Sequence, residues 1–174
     1  FWIKLRKITK GKRPPDRKSV NITINNHPTA TFTYPTNGTW LIGIEVLNAS
    51  ASTDDQNIAN YIFELDNNTD FSSSAILCNT QDVNCTFNTS SQTQCNEESL
   101  DCFLRLNVTD GDGLKNSTYI TIGVDNTGPS STLQRPINGT NITTNYYELN
   151  ASVTDNGIGV NITTFLYREN ETES

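Results

Sequence analysis

Apolar residues along this chain recur at every second position rather than every third or fourth. Val20, Ile22 and Ile24 alternate with Asn21, Thr23 and Asn25. Leu104, Leu106 and Val108 point one way before Asp110-Gly111-Asp112-Gly113, and Ile120, Ile122 and Val124 do so after it. Period two marks strands with one buried face, and two such runs about a turn-forming segment predict a β-hairpin. Further strands are predicted at 29–34, 41–52, 60–66, 74–78, 85–88, 102–109 and 117–124, with a short one at 19–25. Asn37-Gly38 reads as a hairpin-type turn, and His27-Pro28 as a break. No segment sustains a 3.6-residue apolar period, so long helices are not expected.

An internal repeat organises these strands. Tyr34-Pro35-Thr36-Asn37-Gly38-Thr39 matches Arg135-Pro136-Ile137-Asn138-Gly139-Thr140 at an offset of 101, Leu47-Asn48-Ala49-Ser50 matches Leu149-Asn150-Ala151-Ser152 at 102, and Thr53-Asp54 matches Thr154-Asp155 at 101. The one-residue slip is what a small loop insertion or a bulge produces. A period of about 100 residues is the length of one immunoglobulin-type sandwich. The expected fold is all-β: tandem immunoglobulin-like β-sandwiches, the second incomplete within this chain. The expected divisions are a basic arm at 1–18, a first unit at 19–126 with disulfide-bearing hairpins at 78–102, and a partial second unit from 127 to 174. Three or four strands of a seven-strand sandwich are expected in the second unit, too few to cover their own apolar face. Either residues beyond 174 or a neighbouring chain is expected to supply the rest.

Composition narrows the class. Hydrophobic residues make 34% and charged residues 18% of the 174, both low for a globular chain. Uncharged polar residues fill the gap: 23 Asn, 25 Thr and 14 Ser. Abundant Thr, Ile and Val in alternating runs favour a thin β core over disorder. Charge is divided unevenly. Residues 1–18 carry eight bases (Lys4, Arg6, Lys7, Lys10, Lys12, Arg13, Arg17, Lys18) and one acid, Asp16, while the remainder carries four bases and 18 acids, so +7 and −14 sum to the net −7. Such an arm is able to flank a membrane segment lying outside this chain, to bind anionic lipid or polymer, or to dock on the acidic body of a neighbour. Nucleic acid is disfavoured by the acidic body and the lack of a stacking module.

Thirteen Asn-x-Ser/Thr sequons occur, at Asn21, Asn37, Asn48, Asn67, Asn84, Asn88, Asn107, Asn116, Asn138, Asn141, Asn150, Asn161 and Asn170. With 39 Ser plus Thr in 174 residues, 23 Asn would give about five by chance. The excess predicts N-linked glycans. Strand alternation alone explains part of it, since positions i and i+2 share a face; the runs at Asn21, Asn107, Asn141 and Asn161 each place an apolar residue between Asn and Thr. Four cysteines, Cys78, Cys85, Cys95 and Cys102, lie within 25 residues. They lack the C-x2-C spacing of a zinc knuckle, and the single histidine, His27, is remote in sequence. Two disulfides and an oxidising compartment are expected, four free thiols being the alternative. Three connectivities are allowed. The pairing Cys78–Cys85 with Cys95–Cys102 is preferred to the nested Cys78–Cys102 with Cys85–Cys95, because each bridge then closes a hairpin-sized loop.

Several motifs resemble a known pattern. Gly128-Pro129, Pro136-x-Asn138-Gly139, Leu149-x-Ala151-x-Val153-Thr154-Asp155 and Gly157-Ile158-Gly159-Val160 resemble the prokaryotic immunoglobulin-like repeats of large surface proteins. Asn107-Val108-Thr109-Asp110-Gly111-Asp112-Gly113, Thr118 to Ile122 and Asp125-Asn126-Thr127-Gly128-Pro129 resemble the closing hairpin and linker of such domains, and the Asn/Thr bias is similar to that of archaeal surface proteins. The antibody-type core disulfide with a packed Trp is not visible, and Trp40 lies at the wrong place for it. The resemblance implies a surface-layer, filament or adhesin role at the cell surface, with copies of itself in a polymer or lattice as partners. It does not imply a particular ligand. A carbohydrate-binding or adhesin module is the alternative, and it predicts an exposed aromatic platform.

Catalytic constellations are absent. No nucleophile elbow, P-loop or HExxH occurs, and His27 has no sequence neighbour to act on, so an enzyme is not expected. No resident cofactor or metal is expected either. Asp110-Gly111-Asp112-Gly113 looks like the start of a Ca²⁺ loop, but its twelfth position is Thr121 in place of a bidentate acid, so a structural turn is the leading reading. Asp54-Asp55 and Asp155-Asn156 occupy equivalent places in the two units, where turns or an interunit Ca²⁺ are the options.

Overall fold

The computed structural model describes residues 24–166. The predicted basic arm, the strand over 19–23, the sequons at Asn21 and Asn170 and the end of the second unit lie outside that range. Among the described residues nine strands form three sheets: β1 (Thr39–Leu41), β2 (Ile44–Asn48), β3 (Ile58–Asp66), β4 (Ala75–Thr80), β5 (Asn84–Asn88), β6 (Ser99–Asp110), β7 (Lys115–Val124), β8 (Ser130–Arg135) and β9 (Asn150–Thr154). One short 3₁₀ turn, Thr89–Ser91, follows β5. The fold is an all-β sandwich.

A five-stranded sheet in the order β1-β7-β6-β3-β4 faces the two-stranded sheet β2-β5. Alternation sets the faces. Tyr61, Phe63 and Leu65 of β3, Leu104, Leu106 and Val108 of β6, and Ile122 of β7 turn inward and meet Leu47 of β2 and Cys85 and Phe87 of β5. The segment at 29–34 runs beside β2 and touches its end and the following turn through single bridges, Tyr34 to Asn48 and Thr29 to Thr53. The chain then crosses to the other sheet, where β1 pairs parallel with β7. A first strand shared between sheets, a hairpin β6–β7 and β3 beside β6 give the strand order of an immunoglobulin-type sandwich.

Several sequence expectations require correction. The predicted strand at 41–52 is two strands in two sheets, β1 ending at Leu41 and β2 starting at Ile44. The switch is made at Gly43, whose φ of +67° an L side chain adopts only with strain. Asn37-Gly38 does not close a hairpin: Thr39 N–H donates to Thr36 O, and the turn delivers the chain to β1. Ile24 and Asn25 are not in a strand.

Both disulfides, Cys78–Cys85 and Cys95–Cys102, each span seven residues. The first joins β4 to β5 and so ties the two sheets at their open side. Closing a loop of that length is worth about 2.5 kcal/mol by chain entropy.

The second sheet of note is β8-β9, and it repeats the first unit. Ser130 pairs with Thr154 and Arg135 with Asn150, where Thr29 meets Thr53 and Tyr34 meets Asn48. Ladder and turn both recur at 101: Thr140 N–H donates to Ile137 O as Thr39 N–H does to Thr36 O. The slip is local. The first unit spends an extra residue on a turn in which Ser52 N–H reaches Ala49 O, whereas β9 runs straight and the irregularity moves to β8 between Leu133 and Arg135.

Candidate functional site

Three surfaces carry chemistry: the uncovered face of the second unit, the outer face of the five-stranded sheet, and the joint between the units.

The repeat makes the first surface quantitative. Leu41 and Leu47 of the first unit are fully buried, while their equivalents Ile142 and Leu149 are 45% and 48% exposed. Leu133, equivalent to the core-packed Phe32, is 56% exposed. Tyr146, Ile162 and Leu166 of the second unit are also exposed. The residues that correspond to half a core are present, and among the described residues Leu133, Ile142 and Leu149 each keep about half of their surface exposed.

The outer face of the five-stranded sheet is a polar network capped by aromatics. Register places Glu64 beside Arg105, Arg105 beside Tyr119, Phe103 beside Thr121, and Trp40 beside Gly123. Glu64 is buried and gathers three partners: Arg105 Nε at 2.8 Å, Ser74 Oγ at 3.0 Å, and Asn107 Nδ2. Burial pushes the Glu64 carboxyl up, but the hydrogen bond and charge of Arg105, with Ser74 and Asn107, outweigh it and hold the group below its ordinary value. The β3–β4 loop folds over this network. Asp66 is buried and accepts from the N–H groups of Asn67 and Ser73, and Phe71 lies 4.1 Å beneath the Arg105 guanidinium. Tyr119 packs against both Phe71 and Phe103, with ring centroids 6.0 and 6.2 Å apart, and stays 52% exposed. Trp40 lies over Gly123, where a Cβ would come within 2.4 Å of the indole. Trp40, Phe103 and Tyr119 thus line β7 over about 13 Å, four residues of strand rise.

The sequence reading missed the network. Glu64 and Arg105 look like isolated solvent charges, and only the alternation Phe103-x-Arg105-x-Asn107 signals that they share one face with an aromatic.

Asp110 serves a turn: Oδ1 accepts from the N–H groups of Asp112 and Leu114, and Oδ2 from Asn25 Nδ2. Asp110 is held below its ordinary value by these bonds, against the burial that raises it. Asp54 and Asp155 form the same turn in each unit, accepting from the N–H groups of Gln56 and Gly157. No group of three His, Cys, Asp or Glu side chains among the described residues is placed to hold a metal ion. His27 Nδ1 sits 3.0 Å from Lys115 O at the start of β7.

The sequons differ among themselves. Asn67, Asn88, Asn138, Asn141, Asn150 and Asn161 are exposed, as is Asn37, whose Oδ1 caps Thr121 N–H. Asn48 and Asn84 are hydrogen-bonded to each other across β2 and β5. Asn107 Nδ2 points at Glu64, and Asn116 Nδ2 donates to Pro28 O. The alternation explanation holds at Asn107, where Val108 is buried; it does not hold at Asn141 or Asn161, whose neighbours Ile142 and Ile162 are exposed and outside strands. Peptide mapping by mass spectrometry is expected to find sugar on the freely exposed set and none on Asn107; a fully occupied Asn107 would contradict this ordering.

No family model and no curated protein matches the chain. Among solved structures, one described as "Structural basis for the promiscuous specificity of the carbohydrate-binding modules from the beta-sandwich super family" is 22% identical, with a TM-score of 0.41, covering 63% of this chain. The match spans 46% of that structure, about half its length. A likeness of this size carries no argument about ligand or partner.

Among the described residues no helix is long and apolar enough to cross a membrane. The two disulfides point to an oxidising compartment.

Proposed function

We propose that this chain is a non-catalytic structural segment of an extracellular, N-glycosylated cell-surface assembly, a filament or layer in which immunoglobulin-like units join head to tail by β-strand addition. One observation carries the reading: Leu47 is fully buried, while Leu149, its repeat equivalent, is 48% exposed on an otherwise matching ladder. A half-core of this kind stabilises nothing until a further strand lies across it. The occupant is the segment at 19–24 of another copy. Val20, Ile22 and Ile24 alternate with Asn21 and Thr23, so one face fills pockets while main-chain bonds extend the sheet. Asn25 is held at the β6–β7 turn by Asp110 and Asp112, which leaves Ile24 at the end of the sandwich and 75% exposed. The basic stretch before it complements the acidic body. A contact of this heterologous kind propagates into a fibre.

A labelled peptide of residues 18–25 is expected to bind the full chain, and Leu149→Asp is expected to abolish that binding without unfolding the first unit. Absence of binding, or equal binding to the variant, removes the mechanism.

A second reading is favoured by the aromatic line Trp40, Phe103 and Tyr119: a module that stacks sugar rings on this face. It requires Trp40→Ala and Tyr119→Ala to lose retention on a glycan array, and a wild-type chain that retains no glycan excludes it.

A further inference from the structure

The joint between the two units is held by hydrogen bonds rather than left as a loose tether. Asn126 clamps the linker to the first unit. Its Oδ1 accepts from Gly43 N–H at 3.0 Å, Thr89 Oγ1 at 2.7 Å and Ser90 Oγ at 3.1 Å, while Glu97 receives its backbone N–H at 2.7 Å and its Nδ2 at 2.9 Å. Asp125 then connects that clamp to the second unit. Its backbone N–H donates to Leu41 O at 3.1 Å. Its carboxylate accepts from Thr127 N–H through Oδ1 and from Ile158 N–H at 2.7 Å through Oδ2, while the Thr127 hydroxyl lies between Asp125 and Glu98. The residue is 2% exposed.

The partner loop is shaped to receive it. Asp155 Oδ1 accepts from Gly157 N–H at 3.0 Å and Gly159 N–H at 3.2 Å, which curls 155–159 into a fixed turn. Gly157 lies directly against Asp125: a Cβ there would fall 2.2 Å from Oδ2 and 2.4 Å from Cγ. Neither group has room to give, because Asp125 is bonded on both sides.

We infer that Asp125, seated on Gly157 and Ile158, is a positioning residue that keys the orientation of the second unit on the first without a metal ion. Successive sandwiches are usually free to move unless their interface is large and apolar. Here a small contact does the work through charge-assisted hydrogen bonds to backbone N–H groups, which are short and directional. Asp125 spends both carboxylate oxygens, and Asp155 its Oδ1, on backbone N–H groups, so the joint is already bonded through these oxygens without a bridging Ca²⁺. The consequence for the proposed assembly is a set angle per unit, so the inference goes beyond strand addition and does not depend on it.

The test is the spread of distances between nitroxides at Ser117→Cys and Ser131→Cys in the full chain, measured by pulsed electron spin resonance. A narrow distribution, unchanged by EDTA, is expected. Gly157→Ala and Asp125→Ala are each expected to broaden it about twofold or more, as for an ordinary flexible linker, while Asn156→Ala, an exposed residue of the same loop, leaves it narrow. Thermal melting of the first-unit core reports whether a variant is folded. A wide distribution in the wild-type chain, broadening by EDTA, or no response to either Gly157→Ala or Asp125→Ala overturns the inference.

Discussion

Phe63→Ala is expected to lower the unfolding free energy of the first unit by about 3–5 kcal/mol. Phe63 sits on β3 between Cys78 of β4 and Leu106 of β6, is fully buried, and meets Phe32 across the gap at a centroid distance of 6.2 Å. Removing the ring opens a cavity under both sheets, and β3 is too tightly paired to collapse into it. A sandwich of about 100 residues shifts its melting temperature by about 4–8 °C per kcal/mol, so a fall of more than 10 °C is expected. Ile62, one residue earlier, faces outward and is half-buried. Ile62→Ala is expected to cost about 1 kcal/mol or less. Calorimetry or denaturant melts of the pair decide the matter: comparable losses at 62 and 63 would mean that the face assignment of β3 is wrong.

That assignment was legible in the sequence wherever a strand buries one side. Leu104, Leu106 and Val108 alternate with Arg105 and Asn107, and the buried face follows directly. The repeat was equally legible, because Pro-x-Asn-Gly-Thr and Leu-Asn-Ala-Ser are local and dense in turn chemistry, and the ladder of the second unit follows from that of the first. What stayed hidden was set by tertiary contacts. The sheet switch at Gly43 leaves no clear break, since Trp40 to Leu47 is apolar apart from Gly43 and Glu45 and reads as one strand. Residues 29–34 look like a full strand, yet they meet only the last residue of β2, Asn48, and the turn after it, at Thr53, through single bridges, because the chain is leaving for β1. The joint was hidden for a similar reason. Asp125 and Gly157 are 32 residues apart, and a sequence reading that finds Asp-Asn-Gly-Ile-Gly sees a turn without the carboxylate it closes upon.

Symmetry between the units sharpens the functional reading. The same turn, corresponding strand pairings and similar aspartate loops recur in the two units, while Ile142 and Leu149 stay about half exposed where Leu41 and Leu47 are buried; this contrast is what the proposed strand addition would remove. The keyed joint concerns a different property, the angle between units, and the outer face with Glu64 concerns a third, the stability of the first unit alone. Each therefore fails or survives independently of the others.

Glu64→Ala is expected to cost about 3 kcal/mol, because it leaves Arg105, Ser74 and Asn107 facing one another without an acceptor. The loss sits at the low end of that for a fully buried pair, since the Arg105 side chain keeps 26% of its surface in water. Phe71 is expected to loosen with it, as the guanidinium stacked on its ring loses the carboxylate that aims it. Arg105→Met alone would leave the charge of Glu64 without its cation, whereas Glu64→Leu with Arg105→Met removes both charges and is expected to recover most of the loss. The same network sets an acid response. The Glu64 carboxyl is held below its ordinary value of 4.5 in the folded chain, so its contribution is present in full above about that pH. It is lost as pH falls through the lower folded value, where the protonated acid no longer pairs with Arg105. Wild-type stability is expected to drop across that acid window, and the Glu64→Leu/Arg105→Met chain to drop less. Parallel decline of the two chains between pH 5 and the acid limit, in melts read at about one-unit intervals, would place the acid sensitivity elsewhere and reduce the network to a neutral surface pair.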